Sequence, residues 1–239
     1  MRLIALFSVV ALSPLAFGQE AKPRYETRKV HDPDGVGKFY MGREIAHVMG
    51  FQAAGWLDRT EREKEEEPAK LLAALDLKPG MVVADVGAGT GFHAFRMAPL
   101  VGPKGKVLAV DVQPEMVALI DARAKKEKVA NVVTVACTES DPKLPAGEID
   151  LVLMVDVYHE LAFPHEVAAK LVAALKPGGR IAFVEFRLED AAVPIKRVHK
   201  MSERQVILEM GEFPELEHTK TIPGLPWQHI VVFTKAATK

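Results

Sequence analysis

Residues 82 to 92, VVADVGAGTGF, place an apolar run, one acid and three glycines spaced two apart in one short stretch. A strand that runs into such a loop and then opens a helix presents backbone N–H groups and the positive helix end to a ligand, and the missing Cβ atoms admit close approach. Two binding chemistries compete for this design, a dinucleotide cradle and a site for another nucleoside cofactor. The dinucleotide fingerprint requires G-x-G-x-x-G, and with its first glycines on Gly87 and Gly89 the third falls on Phe92. That spacing fails. A glycine turn used only for packing also stays open. KVLAVDV, residues 106 to 112, adds Asp111 at a second strand end, where a carboxylate can accept hydrogen bonds from two ribose hydroxyls.

A second group of reactive side chains follows later apolar runs. Asp156, Tyr158, His159 and Glu160 come after LVLMV, Glu185 and Arg187 close IAFVEF, and Glu189, Asp190, Lys196, His199 and Lys200 follow shortly. His159 has the ordinary pKa of a general base, Tyr158 can orient or stack on a planar substrate, and with Glu185 they form the candidate catalytic set. The same Asp-Val-Tyr-His-Glu run can instead cap a helix and bind backbone. A metal version uses Asp156, His159, Glu160, Glu185 and His199 as mixed oxygen and nitrogen ligands. No tight ligand spacing such as H-E-x-x-H occurs, so no metal is assigned. Asp32 and Asp34 lack the remaining ligands of a calcium loop.

The elements that must position these residues are legible in the patterning. The runs MVVADV, KVLAVDV, VVTVAC, DLVLMVDV and RIAFVEF alternate with the helix-like HAFRMAPLV, PEMVALIDARAKKE and PHEVAAKLVAAL. Such alternation predicts a parallel sheet with helices on both faces, and strands apolar almost throughout fit a sheet covered on both sides. SERQ at 202 to 205 predicts a capped helix to about Met210, and FPELEHTKTI and QHIVVFTK predict two final strands. Upstream, Phe39, Met41, Ile45, Val48 and Met49 fall on one helical stripe, so a helix is expected from 39 to 49. EREKEEE, 61 to 67, reads as a solvated helix, with Arg59 or Glu66 closing over a ligand as the alternative.

At 239 residues, 49% hydrophobic and 26% charged, the chain matches one ordinary globular domain. The formal charge of -1 and the lack of a basic block longer than two residues give no footprint for nucleic acid. Met1 and Arg2 precede LIALFSVVALSPLAF, and AFG at 16 to 18 offers small residues for cleavage, so residues 1 to 18 read as a secretory signal peptide and the protein as exported, periplasmic or secreted. Residues 19 to 70 then form an extension with cap helices, and 71 to 239 the main domain. No other segment approaches the roughly 20 apolar residues of a membrane span. The single cysteine, Cys137, forbids an internal disulfide and reads as a small buried hydrophobe.

In combination, DVGAGTG followed by AVDVQPEM, MVDVYHEL and LKPGGRIAFVEF, from about Leu71 to Phe186, resembles the class I S-adenosylmethionine-dependent methyltransferases. The resemblance implies an α/β, doubly wound, Rossmann-like sheet of seven strands with an antiparallel last pair, and S-adenosyl-L-methionine as cofactor. Its cofactor contacts fall on Asp85, Gly87, Ala88, Gly89, Gly91 and Asp111, with Val112 beside the adenine, Thr138 or Glu139 near the adenine amino group, and Asp156 after the fourth strand. Within the family the sequence looks nearest to the quinone-methyltransferase-like, small-molecule branch, which implies a small or planar acceptor. A ligand-binding protein that keeps the fold without catalysis is the other reading, because the charged cofactor does not cross a membrane unaided. An enzyme of damaged aspartyl sites is a third. Oligomeric state is not legible.

Overall fold

A computed structural model describes residues 23 to 237 of the chain, so the expected signal peptide lies outside the described residues. The described residues begin with a small antiparallel sheet of β1 (Tyr25–Thr27), β2 (Gly35–Tyr40) and β3 (Arg43–Ala46). The helix expected from 39 to 49 is therefore a hairpin. Tyr40 pairs with Arg43 across Met41 and Gly42, both at positive φ (46° and 92°), and two such residues match the twist of paired strands. The Glu44 carboxylate, accepting the Asp32 and Gly37 amides at 3.0 and 2.9 Å, secures the turn opposite. Short helices α1 (Ala54–Leu57), α2 (Arg62–Glu65) and α3 (Pro68–Ala74) complete the N-terminal part.

The main sheet follows as the patterning predicts: β4 (Val82–Val86), α4 (Phe92–Val101), β5 (Lys106–Asp111), α5 (Pro114–Glu127), β6 (Val132–Ala136), β7 (Ile149–Val155), α6 (Pro164–Ala174), β8 (Leu175–Phe186), α7 (Glu203–Met210), β9 (Leu216–Ile222) and β10 (Gln228–Lys235). Its order is β6-β5-β4-β7-β8-β10-β9, parallel except where β10 runs antiparallel to β8 and β9. Side chains alternate between the faces, so each strand feeds two cores. Val83, Ala109, Leu151 and Val184 pack with Leu71, Met97 and Ile120 on one side. Ala84, Val110, Val152 and Phe183 pack with Leu171, Val206 and Met210 on the other. Double coverage explains why these strands read as apolar runs rather than alternations. No helix of the described residues is long and apolar enough to cross a membrane.

The reversal of order between β4 and β5 on one side and β7 and β8 on the other opens a crevice at the carboxyl ends of the strands. The N-terminal sheet is fastened beside it by Arg43. This guanidinium is bidentate on the buried Glu209 of α7 at 2.6 and 3.1 Å, and it donates to the Tyr158 and His159 carbonyls at 3.4 and 3.1 Å. Ser202 caps α7 by accepting the Gln205 amide at 3.1 Å. The Gln205 side chain does not return the bond and donates to the Met41 carbonyl and to Glu209 instead.

Arg43→Met leaves the Glu209 carboxylate buried without its partner, and we expect a loss of about 3 kcal/mol in the urea unfolding free energy. Adding Glu209→Leu is expected to recover most of it; equal losses in the single and double variants would show that the pair does not hold the hairpin.

Candidate active site

The crevice is a cavity of about 1010 Å³, large by the standard of small-molecule sites. The glycine loop forms its floor at one end. Gly87 and Gly89 line it, both at positive φ, and a Cβ on Gly87 would lie 2.5 Å from the Val157 side chain while one on Gly89 would lie 2.6 Å from Leu57. Asp111 sits across from them, its Oδ2 accepting the Gly89 amide at 2.8 Å and its Oδ1 the Gln113 amide at 2.9 Å. Each oxygen keeps a lone pair for a further donor. Burial raises the Asp111 carboxyl above the ordinary range, against the pull of these amides. Val112, Cys137, Thr138 and Glu139 continue the wall. The Thr138 hydroxyl accepts the Asp141 amide at 3.1 Å and closes a turn there.

The other expected contacts separate into layers. Ala88 and Gly91 lie behind the wall: Ala88 is in a core cluster, and a Cβ on Gly91 would strike Phe95, so this glycine serves the packing of α4. Asp85 is also behind it, 3% exposed, with Oδ2 unpartnered. Burial pushes its pKa up to about 7, although the Ala94 amide and the Arg62 guanidinium oppose the shift. Asp156 lines the cavity at φ 53°, with Oδ2 accepting from Gln228 Nε2 at 2.7 Å and Oδ1 unpartnered. Burial and the neighbouring Glu66 and Glu185 carboxylates raise its pKa well above the usual range. The unsatisfied Asp156 oxygen, on a residue that lines the cavity with the glycine cradle and Asp111, is what a nucleoside with an amino-acid arm would complete.

At the far end His159 faces the cavity. Its Nδ1 lies 2.6 Å from Glu185 Oε2, while Glu185 Oε1 accepts the Tyr158 amide at 2.9 Å. Desolvation pulls the imidazole pKa down, but the Glu185 charge and hydrogen bond outweigh it and leave it raised. Two expectations need correction. Tyr158 does not face a substrate: it is fully buried, edge-on to Phe183 at 4.9 Å, because the turn after β7 sends its ring into the core and His159 into the cavity. Glu185, 0% exposed, does not line the cavity and reaches it only through its bond to His159. Of the five residues of the metal version, only His159, Glu160 and His199 converge.

The roof comes from the N-terminal part, which the sequence left nearly silent. Val48, Met49, Gly50, Trp56, Leu57 and Arg62 line the cavity from above. Gln113 ties this segment to the end of β5 beside Asp111 through the Phe51 amide and the Met49 carbonyl, at 2.8 and 3.0 Å. EREKEEE is not solvated throughout: Arg62 and Glu66 are 4% and 2% exposed and paired at 2.6 Å, and Arg59 also reaches Glu66 at 2.9 Å. The i, i+4 spacing of Arg62 and Glu66 signalled a pair, but nothing in the run marked which face turns inward.

A seven-stranded, mostly parallel sheet with an antiparallel final pair, a glycine loop after its first strand and an acid after its second defines a Rossmann-like methyltransferase fold. The family described as a methyltransferase domain matches residues 77 to 229, and the chain belongs to it. Family and fold give S-adenosyl-L-methionine as the cofactor. The chain is similar to the nocamycin O-methyltransferase of Saccharothrix syringae, 34% identical over 115 residues that cover 47% of this chain and 40% of that one. It is also similar to a protein-L-isoaspartate O-methyltransferase of Methanothrix thermoacetophila, 34% identical over 113 residues, 47% of this chain and 51% of that one. It thus spans about half the length of these curated relatives. The crystal structure of a SAM-dependent methyltransferase from Aquifex aeolicus, 28% identical, superimposes with a TM-score of 0.74 over 79% of this chain and all of that one.

Asp85→Asn is expected to stabilise the unliganded protein by an amount that depends on pH. The folded carboxyl holds its proton up to about 7, whereas the unfolded one loses it near the ordinary 3.8, so the aspartate costs stability progressively between those values and fully above them. Urea midpoints of the two proteins should coincide below pH 4 and diverge up to pH 7; a constant difference across that range would refute the buried-acid account.

Proposed function

We propose that the protein transfers the methyl group of S-adenosylmethionine to a small or planar acceptor seated at the His159 end of the cavity. The observation that carries this reading is the placement, in one cavity, of the Gly87–Gly89 cradle with Asp111 at one end and a carboxylate-backed imidazole at the other. The cofactor supplies an electrophilic methyl on a sulfonium, and what remains for the protein is alignment and disposal of a proton.

Asp111 receives the ribose hydroxyls on the lone pairs its amide partners leave free, and Gly87 and Gly89 admit the cofactor to backbone distance. Asp156 Oδ1 offers an acceptor for the charged amino group of the methionine arm. At the other end Glu185 holds the Nδ1 proton of His159, which fixes the tautomer and aims the Nε2 lone pair at the cavity. An O–H or N–H acceptor placed there gives its proton to that lone pair. Val48, Trp56, Leu161 and Ile195 supply an apolar lining suited to a flat or partly apolar molecule. The two curated relatives bear the names of unlike acceptors, so their names do not choose one for this chain.

Calorimetric titration with S-adenosylmethionine and S-adenosylhomocysteine tests the reading. We expect micromolar binding of both, weakened about tenfold or more by Asp111→Asn, which removes two charge-assisted hydrogen bonds. His159→Ala should leave cofactor binding unchanged. No binding by the wild-type protein would remove methyl transfer as its activity.

A further inference from the structure

We infer that His159, Glu160 and His199 form a binding site for one divalent transition metal, of the zinc type, at the acceptor end of the cavity. The inference is independent of the methyl-transfer reading and concerns the residues for which spacing alone gave no metal. His199 Nδ1 lies 3.4 Å from His159 Nε2 and 3.5 Å from Glu160 Oε1, and His159 Nε2 lies 3.8 Å from Glu160 Oε1. Three atoms with those separations share a centre about 2.1 Å from each, which is the length of a zinc–nitrogen or zinc–oxygen bond. Two imidazoles and one carboxylate select zinc, cobalt or nickel over magnesium and calcium, which take oxygen shells.

Three further features support a built site over a chance cluster. His159 is backed at Nδ1 by Glu185 at 2.6 Å, the carboxylate–histidine arrangement that orients a metal-binding imidazole and leaves Nε2 as the donor. The two carboxylates, Glu160 and Glu185, balance a divalent charge. Arg43, whose guanidinium bonds the His159 carbonyl, is itself neutralised by Glu209. All three donors line the cavity, so a fourth position opens onto the space where the acceptor sits, as in catalytic zinc sites. Metal and proton compete for the same Nε2 lone pair. Proton uptake by His159 from an acceptor therefore belongs to the metal-free protein.

Full-length protein without a polyhistidine tag, stripped with EDTA, is titrated with zinc chloride and, separately, with cobalt chloride. We expect one equivalent of zinc by elemental analysis after gel filtration, and with cobalt the intense visible bands of a four-coordinate ion. His199→Ala, at a side chain 24% exposed and so tolerant of truncation, should weaken zinc about 100-fold or more, and Glu185→Gln about 10- to 100-fold although it touches no metal. His218→Ala, distant on β9, should change nothing. Substoichiometric zinc, or zinc that survives His199→Ala, overturns the site. S-adenosylmethionine titrated into the same samples separates the two readings: metal bound without cofactor removes only methyl transfer, and cofactor bound without metal removes only the metal site.

Discussion

A sheet covered by helices on both faces can leave polar groups incompletely satisfied only where its strands end, and this constraint organises the molecule. Asp85, Asp111, Asp156 and Glu185 all stand at or just beyond the carboxyl ends of central strands; Asp85, Asp111 and Glu185 are withdrawn from water, and Asp156 is half-buried with its Oδ1 enclosed. The two opposed cores fix the strands from both sides, so the acids cannot relax away from one another. Their cost is offset locally by backbone amides, as at Asp111 and Glu185, or left open, as at Asp85 and Asp156. At Asp156, which lines the cavity, a ligand has most to gain, because a bond it supplies there relieves a group already desolvated, whereas Asp85 lies behind the wall.

The N-terminal part stands in the same relation to the sheet as a second wall to a floor. Its buried attachments run from Arg43 to Glu209 and from Arg62, held by Glu66 of its own segment, to His93 Nε2 at 3.3 Å and the Phe92 ring. Pairs of this kind add little net stability over an apolar contact of the same volume, but they tolerate few alternative registers. Arg43 in particular binds the carbonyls of Tyr158 and His159, so the hairpin that looks like an appendage sets the backbone from which the cavity imidazole projects.

The sequence made the order of strands and helices in the parallel sheet legible, because double burial turns each strand into a continuous apolar run and each crossover into an amphipathic helix, although β8 starts at Leu175, five residues before the RIAFVEF run. Asp111 and the glycines were legible for a related reason: only a few residue types fit those backbone positions. The hairpin at 35 to 46 was not. Its apolar residues fall on a helical stripe by coincidence, and the turn uses Met41–Gly42 in place of the Asn-Gly or Asp-Gly that would have announced it. Tyr158 and His159 were both visible as reactive types, but neighbours in a 3-10 turn diverge in direction, and no one-dimensional pattern says which of them enters the core. The convergence of His159 with His199, 40 residues later, depends on where the segment after β8 folds back, which is a tertiary fact.

Cys137 gives the cofactor wall a hidden hazard and its remedy. A thiolate lining a cavity that accepts a sulfonium would be a strong rival nucleophile, and one turnover of self-alkylation would plug the site for good. Burial first, and then the Asp111 charge, hold the proton on Cys137 by raising its pKa to about 11. The acid at the end of β5 thus also keeps the neighbouring sulfur inert, and on the proposed reading one carboxylate serves both the grip on the methyl donor and the protein's immunity to it.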